Sequence, residues 1–148
     1  MDTSGIHVWL VLWKAYESVR AHADRHILKL GLGFSDFGVL EVLLHKGPMP
    51  VNSIGQLVHL TSGSITAAVD RLEAKGLVYR SGHPSDRRAR LVQLTESGKN
   101  LIGQAFAEHK TAMERATAGL TPDERAHTIK LLKKMGLAAQ AALDSKSV

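Results

Sequence analysis

Residues Thr61 to Arg80 read TSGSITAAVDRLEAKGLVYR, and Asp86 to Gly98 read DRRARLVQLTESG. In the first stretch Ile65, Val69 and Leu72 recur at the i, i+4, i+7 spacing that places apolar side chains on one helix face, and Gly76 closes the pattern. The TSGS segment ahead of them is helix-capping chemistry. Beyond Gly76, Leu77–Ser81 and Ala89–Leu94 are rich in Val, Leu and Tyr with period-two features, which predicts a two-stranded hairpin. Its loop, GHPSDRR, carries Arg87 and Arg88, while Arg90 already enters the returning strand.

Upstream, Val51–Leu60 carries Ile54, Leu57 and Val58 on one side, so a short helix precedes the turn at TSGS. Helix, turn, helix and basic hairpin in that order is the arrangement of a winged helix-turn-helix, in which the second helix enters the major groove of DNA. With Ile65, Val69 and Leu72 facing the core, Ser62, Ser64, Thr66, Ala67 and Arg71 point outward. Small hydroxyls and Gly63 at a helix N-terminus suit close approach to phosphate, because the backbone N–H groups there are unpaired and the dipole end is positive. Taken alone, the loop arginines would be a solvated turn with an ion pair worth about 0–1 kcal/mol. Behind a helix pair they fit a wing on the duplex, since the planar arginine fork neutralises phosphate and enters narrow minor grooves. Asp86 stands two residues before Arg88, near enough to orient its guanidinium.

The remaining segments are helical. Ile6–Leu30 has no proline or glycine and repeats Leu12, Tyr16, Val19, Ala23 and Ile27 on one face. Ser35 offers an N-cap for a second helix, Asp36–His45, with Phe34 and Val39 placed as a hydrophobic staple, and KGPMP stops it. After LTESG a helix from Gly98 to Ala118 carries Ile102, Phe106, His109 and Met113 on one stripe. Thr121-Pro122-Asp123-Glu124 opens the last helix with a capping box and Pro at its first position, followed by Ile129, Leu132, Met135 and Ala139. The fold class expected is mainly α with a small β-hairpin.

Composition narrows the function classes. The 148 residues are 44% apolar and 22% charged with a formal charge of +5, as in globular proteins and compatible with a polyanionic partner. No cysteine is present, which removes disulfides and thiolate chemistry. No run approaches the roughly 18 apolar residues of a membrane span, and the start lacks a signal peptide's basic region and cleavage site, so a cytoplasmic location with no membrane partner is expected. There is no HExxH, GxSxG or phosphate-cradling glycine loop, so no enzyme activity and no cofactor are expected.

TSGSITAAVDRLEAKGLVYR with DRRARLVQLTESG resembles the MarR family of bacterial winged-helix transcription regulators, with helices in the same order over nearly the whole chain. The resemblance implies that Ser62–Lys75 is the recognition helix, that Arg88 is the minor-groove residue and Asp86 its orienting partner; Arg87, beside them in the loop, is expected to contact phosphate. The resemblance also implies a homodimer held by residues 1–33 and 98–148, with 34–97 as the winged DNA-binding lobe. Those outer segments carry more apolar surface than a small lobe can cover, and a two-fold dimer would read a pseudo-palindromic operator. Family members commonly act as repressors released by a small aromatic or phenolic compound between the dimer helices and the winged lobe, and the branches closest in sequence respond to quinones or phenols. Trp9, Trp13, Tyr16 and Arg20 are the expected pocket residues, with packing of the dimer core by Trp13 and Tyr16 as the alternative. No metal site is expected, although His22 and His26 at i, i+4, with Glu41, His45, Glu108 and His109, leave a zinc-responsive regulator or a small metal-dependent enzyme as alternatives.

Overall fold

The computed structural model describes residues 2–82, 84–86 and 90–145. The element order is α1 (Gly5–Lys29), α2 (Phe34–Lys46), β1 (Met49–Pro50), α3 (Val51–Leu57), α4 (Ser62–Ala74), β2 (Val78–Gly82), β3 (Arg90–Leu94), α5 (Glu96–Ala116) and α6 (Pro122–Asp144). The chain is mainly helical with a small antiparallel sheet, as expected, and it divides into two compact units, Met1–Met113 and Glu114–Val148.

The core of the first unit is built from one face of each helix. Ile27 of α1, Leu40 of α2, Ile54 of α3, Ile65, Val69 and Leu72 of α4, Val92 of β3 and Ile102 of α5 are all buried in it. The i, i+4, i+7 stripe on α4 is therefore its core face. Gly55 lets α3 and α4 cross closely, because a Cβ there would lie 3.1 Å from the Ile65 side chain and 3.3 Å from the Leu60 carbonyl oxygen. Gly76 ends α4 with φ +69, the left-handed region that favours glycine.

Three features differ from the sequence expectation. KGPMP does stop α2, but Met49 and Pro50 then pair with Val92 and Leu91, so the hairpin becomes a three-stranded sheet ordered β1-β3-β2. A two-residue edge strand has no periodicity to read, and Pro50 sits where a missing N–H is tolerated. Second, α2 starts at Phe34 with Gly33 as its N-cap, so Ser35 lies inside the helix; Gly33 accepts from the Phe37 N–H at 3.0 Å. Third, α3 ends at Leu57, which is exposed, while Ile54 is buried and Val58 half-buried.

The LTESG segment is the joint between sheet and α5. Thr95 Oγ1 accepts from the Gly98 N–H at 3.0 Å and donates to the Gly76 carbonyl at 2.7 Å, and the Thr95 N–H donates to the Leu77 carbonyl at 3.0 Å. This brings the first turn of α5 so near β2 that a Cβ on Gly98 would stand 2.0 Å from the Leu77 carbonyl oxygen.

In the second unit α6 carries the expected capping box: Thr121 Oγ1 accepts from the Glu124 N–H at 3.3 Å, and Glu124 Oε2 accepts from the Thr121 N–H at 2.8 Å. Arg125 donates to Glu114 and to the Thr117 carbonyl, fastening the turn before α6. No residue of α6 is buried, although it carries Ile129, Leu131, Leu132, Leu137 and Leu143. Likewise the N-terminal half of α1 exposes Ile6, Trp9, Trp13 and Tyr16, while Ala23 and Ile27 further along are buried.

Because the clash at Gly98 is with backbone, Gly98→Ala is expected to destabilise the protein by about 3 kcal/mol, read as a lower urea midpoint. Gly103 lies on the same helix with open space around it, so Gly103→Ala serves as the control and is expected to be neutral or stabilising.

Candidate nucleic-acid interface

The outward face of α4 is small and polar. Ser62, Gly63, Ser64, Thr66 and Ala67 are exposed, and a Cβ on Gly63 would meet nothing within 4 Å. Thr61 caps the helix by accepting from the Ser64 N–H at 3.2 Å, and its hydroxyl donates to Ser64 Oγ at 2.9 Å. Thr66 donates to the Ser62 carbonyl at 2.8 Å. The N–H groups of the first turn that have no intrahelical acceptor face outward at the positive end of the dipole.

Arg71 is exposed as expected, yet its guanidinium is not free. Its Nη2 and Nε donate to the two carboxylate oxygens of Asp36 at 2.6 and 3.2 Å. The Arg71 side chain is 53% exposed and that of Asp36 only 4%. Asp36 is the one charged residue buried among the described residues, in the first turn of α2 where the helix dipole favours a carboxylate. The hydrogen bonds and the charge of Asp36 hold the Arg71 guanidinium above its ordinary value.

Four further residues, none of them singled out by the spacing of the sequence, shape this face. Glu73 and Asp70 add acidic groups to α4, where they would repel phosphate, and Arg80 of β2 binds both: Nη2 lies 2.6 Å from Asp70, and Nη1 and the backbone N–H bond Glu73. Arg80 thus ties the helix to β2 and offsets part of the charge of its acids. Lys75 donates to the Gly31 carbonyl at 2.8 Å, anchoring the end of α4 to the turn after α1. In the wing, Asp86 is exposed. Arg87 and Arg88 lie outside the described residues.

A cavity of about 410 Å³ opens behind α4. Its walls are Tyr16, Val19, Arg20 and Ala23 of α1, Phe34, Ser35, Phe37, Gly38 and Glu41 of α2, Val58, His59 and Leu60 between α3 and α4, and His109 and Met113 of α5. Tyr16 and Arg20 are in this wall. Trp9 and Trp13 are not, because they lie two and one turns earlier on α1, where they are exposed. In the sequence His109 stands on the apolar stripe of α5 and among the candidate metal ligands. In the structure its ring lies 5.0 Å from Phe37 and 6.2 Å from His26, and its Nδ1 is buried with no hydrogen-bond partner among the described residues. Burial pushes the His109 imidazole below its ordinary value; Glu41 opposes this and His26 adds to it.

The metal alternative finds no support. His26 is held by the Ala105 carbonyl at 3.0 Å and by Glu108 at 3.4 Å, His22 is exposed, and no three candidate ligands converge among the described residues.

Residues 35–89 match the MarR family. Over 140 residues the chain is 39% identical to the HTH-type transcriptional regulator MhqR of Bacillus subtilis (strain 168), an alignment covering 95% of this chain and 97% of that protein. The chain belongs to the MarR family. As a MarR-family protein it is a DNA-binding transcriptional regulator, and two solved structures place its fold among functional relatives. One concerns the regulation of DNA binding of Bordetella bronchiseptica BpsR by 6-hydroxynicotinic acid; it is 28% identical with a TM-score of 0.79, covering 88% of this chain and 98% of that one. The other is a mutant MarR from E. coli complexed with operator DNA, 26% identical with a TM-score of 0.73, covering 88% and 91%. Among the described residues no helix of this regulator is long and apolar enough to cross a membrane.

Two predictions follow from the charges. Arg71→Met leaves the Asp36 carboxylate buried without its cation, whereas Asp36→Asn leaves an arginine that water can reach. Arg71→Met is therefore expected to cost about 3 kcal/mol of stability and Asp36→Asn less, and urea titrations giving the opposite order would reject this account of the pair. For His109, the folded ring protonates at lower pH than the unfolded one, so the unfolded state binds more protons below the ordinary value of 6.5. Stability is expected to fall as pH drops through and below that value, and His109→Gln should flatten this part of the curve in thermal melts.

Proposed function

We propose that this regulator is a homodimeric repressor that holds a pseudo-palindromic operator with α4 and the wing and releases it when a small aromatic molecule fills the cavity. The observation that carries the reading is the cavity's position: Val58, His59 and Leu60, the connection between the two helices of the helix-turn-helix, form one of its walls. His59 has φ 56, the only positive φ among the described non-glycine residues, so this connection is already strained. A molecule seated there presses on the segment that sets the direction of α4. The BpsR structure, whose DNA binding is regulated by a hydroxylated aromatic acid, supports an aromatic effector.

At the DNA, Ser62, Gly63, Ser64 and Thr66 approach the major groove and its phosphates, and the Ala67 methyl group suits a thymine methyl. Arg71 contributes only the part of its guanidinium that Asp36 leaves open. In the wing Arg88 takes the minor groove with Asp86 orienting it, and Arg87 takes phosphate. Residues 1–33 and 98–148 form the dimer. The exposed Trp9, Trp13, Ile129 and Leu132 are the apolar surface such an interface covers, and the two recognition helices then meet half-sites about one helical turn apart.

Selection of genomic fragments by the purified protein, repeated with a panel of phenolic compounds, tests the reading as a whole. At the level of single residues, Arg88→Ala is expected to weaken operator binding and to lower its salt slope by about one. Equal affinity and slope for the variant and wild type in fluorescence anisotropy would remove the wing from the interface.

A further inference from the structure

We infer that Asp36, on α2 and outside the helix-turn-helix, is a positioning residue for sequence recognition: it holds Arg71 as a reader of a guanine base rather than as a phosphate contact. This rests on the placement of α4 in the major groove proposed above and specifies what Arg71 does there. Arg71 is the only arginine or lysine within α4, whose other charged residues are Asp70 and Glu73. A lone cation on a recognition helix ordinarily serves the phosphates. Here its charge is already matched.

Charge and geometry together separate the two roles. Nη2 and Nε of Arg71 bond the Asp36 carboxylate at 2.6 and 3.2 Å, and Asp36 is buried while Arg71 is half-exposed. Buried charge is screened little by salt, so a phosphate approaching Arg71 meets a pair whose formal charges cancel. Arg80 is likewise matched, by Asp70 and Glu73, and the Lys75 ammonium at the end of α4 donates to the Gly31 carbonyl. Counterion release follows from cations that neutralise phosphate, so a neutral pair adds little to it. The geometry favours a base instead. A guanidinium carries five N–H donors in one plane. The bonds to Asp36 use the Nε–H and one N–H of Nη2, which form the side edge of the group, and leave the second N–H of Nη2 beside those of Nη1. That end edge is a two-donor fork, the shape that matches O6 and N7 of guanine in the major groove. Held by a buried group, the fork also loses less freedom on binding than an unattached arginine does. The pair therefore supplies base discrimination with little salt-dependent affinity.

Fluorescence anisotropy of the full chain over a range of salt tests the inference on three kinds of probe. These are a fragment recovered by the genomic selection above, versions of it with each G·C pair changed to A·T in turn, and a random duplex of the same length. Affinities are compared as ratios between probes on one preparation, so partial unfolding of a variant cancels. Wild type is expected to lose about tenfold in affinity when the G·C pair that Arg71 reads is changed. Arg71→Lys, which keeps the cation but not the fork, should lose this preference while its salt slope stays near that of wild type. Asp36→Asn, which leaves the Arg71 charge unmatched, is expected to lose most of the preference as well. It should also bind the random duplex more tightly, with a salt slope steeper by about one for each α4 bound. A merely structural role for Asp36 predicts weaker binding to every probe instead. Wild-type base preference in Arg71→Lys, or an unchanged preference or salt slope in Asp36→Asn, would overturn the inference. Ala67→Glu separates it from the placement of α4, because it puts an anion on the exposed face of that helix. Unchanged binding of the fragment by Ala67→Glu would refute the placement itself. Loss of binding by Ala67→Glu with wild-type behaviour of the other two variants refutes only the role of the pair.

Discussion

The Asp36 carboxylate is the constraint around which the winged lobe is arranged. Burying a charge in a protein interior costs several kcal/mol unless partners replace the lost water. Here the partners are the two-pronged bond from Arg71 and the dipole of the α2 first turn. The bond joins α2 to α4 in one orientation, beside the apolar contacts that the two helices share in the core. It also removes half of the cation that the outward face of α4 would otherwise present. The same stretch of α2, Phe34 to Glu41, carries Asp36 and several residues of the cavity wall. Under the effector role proposed for the cavity, a displacement of α2 would reach α4 through this ion pair and through the core that the two helices share.

Around that point, close approach is secured by what is missing rather than by what is present. Gly55 and Gly98 have no Cβ where α3 meets α4 and where α5 meets β2, so the helix pair, the sheet and α5 share one core. Arg80 completes the arrangement from the sheet side. By bonding Asp70 and Glu73 it fastens β2 to α4, and the outward positions at the start of α4 carry small side chains and hydroxyls. A helix start with small side chains, whose nearest acids are bonded by an arginine, suits contact with a polyanion.

The cavity follows a different chemical rule. Most of its wall is apolar; among its polar side chains Arg20 is committed to Asp24, and the Nδ1 of His109 is buried with no hydrogen-bond partner among the described residues. Buried polar atoms are nearly always bonded, so this nitrogen is an exception. His109 reads as an apolar residue from its periodicity because its ring does pack on Phe37.

The local pattern alone determined the elements and their order: the stripe Ile65, Val69, Leu72, the cap at Thr61 and the capping box at Thr121 act within one or two turns of chain, which is the range over which spacing can be read. The outward placement of Ser62, Ser64, Thr66 and Ala67 follows from the same stripe, since a helix with one face buried has the other face out. What pairs with what was decided only by tertiary structure. Asp36 and Arg71 are 35 positions apart, His26 and Ala105 are 79 apart, and Met49 meets Val92 through a strand too short to have a period. Nothing in the residues themselves distinguishes an arginine free for phosphate, as Arg71 reads, from one held by a buried carboxylate. Burial of the partner makes that difference, and burial exists only once distant helices have packed.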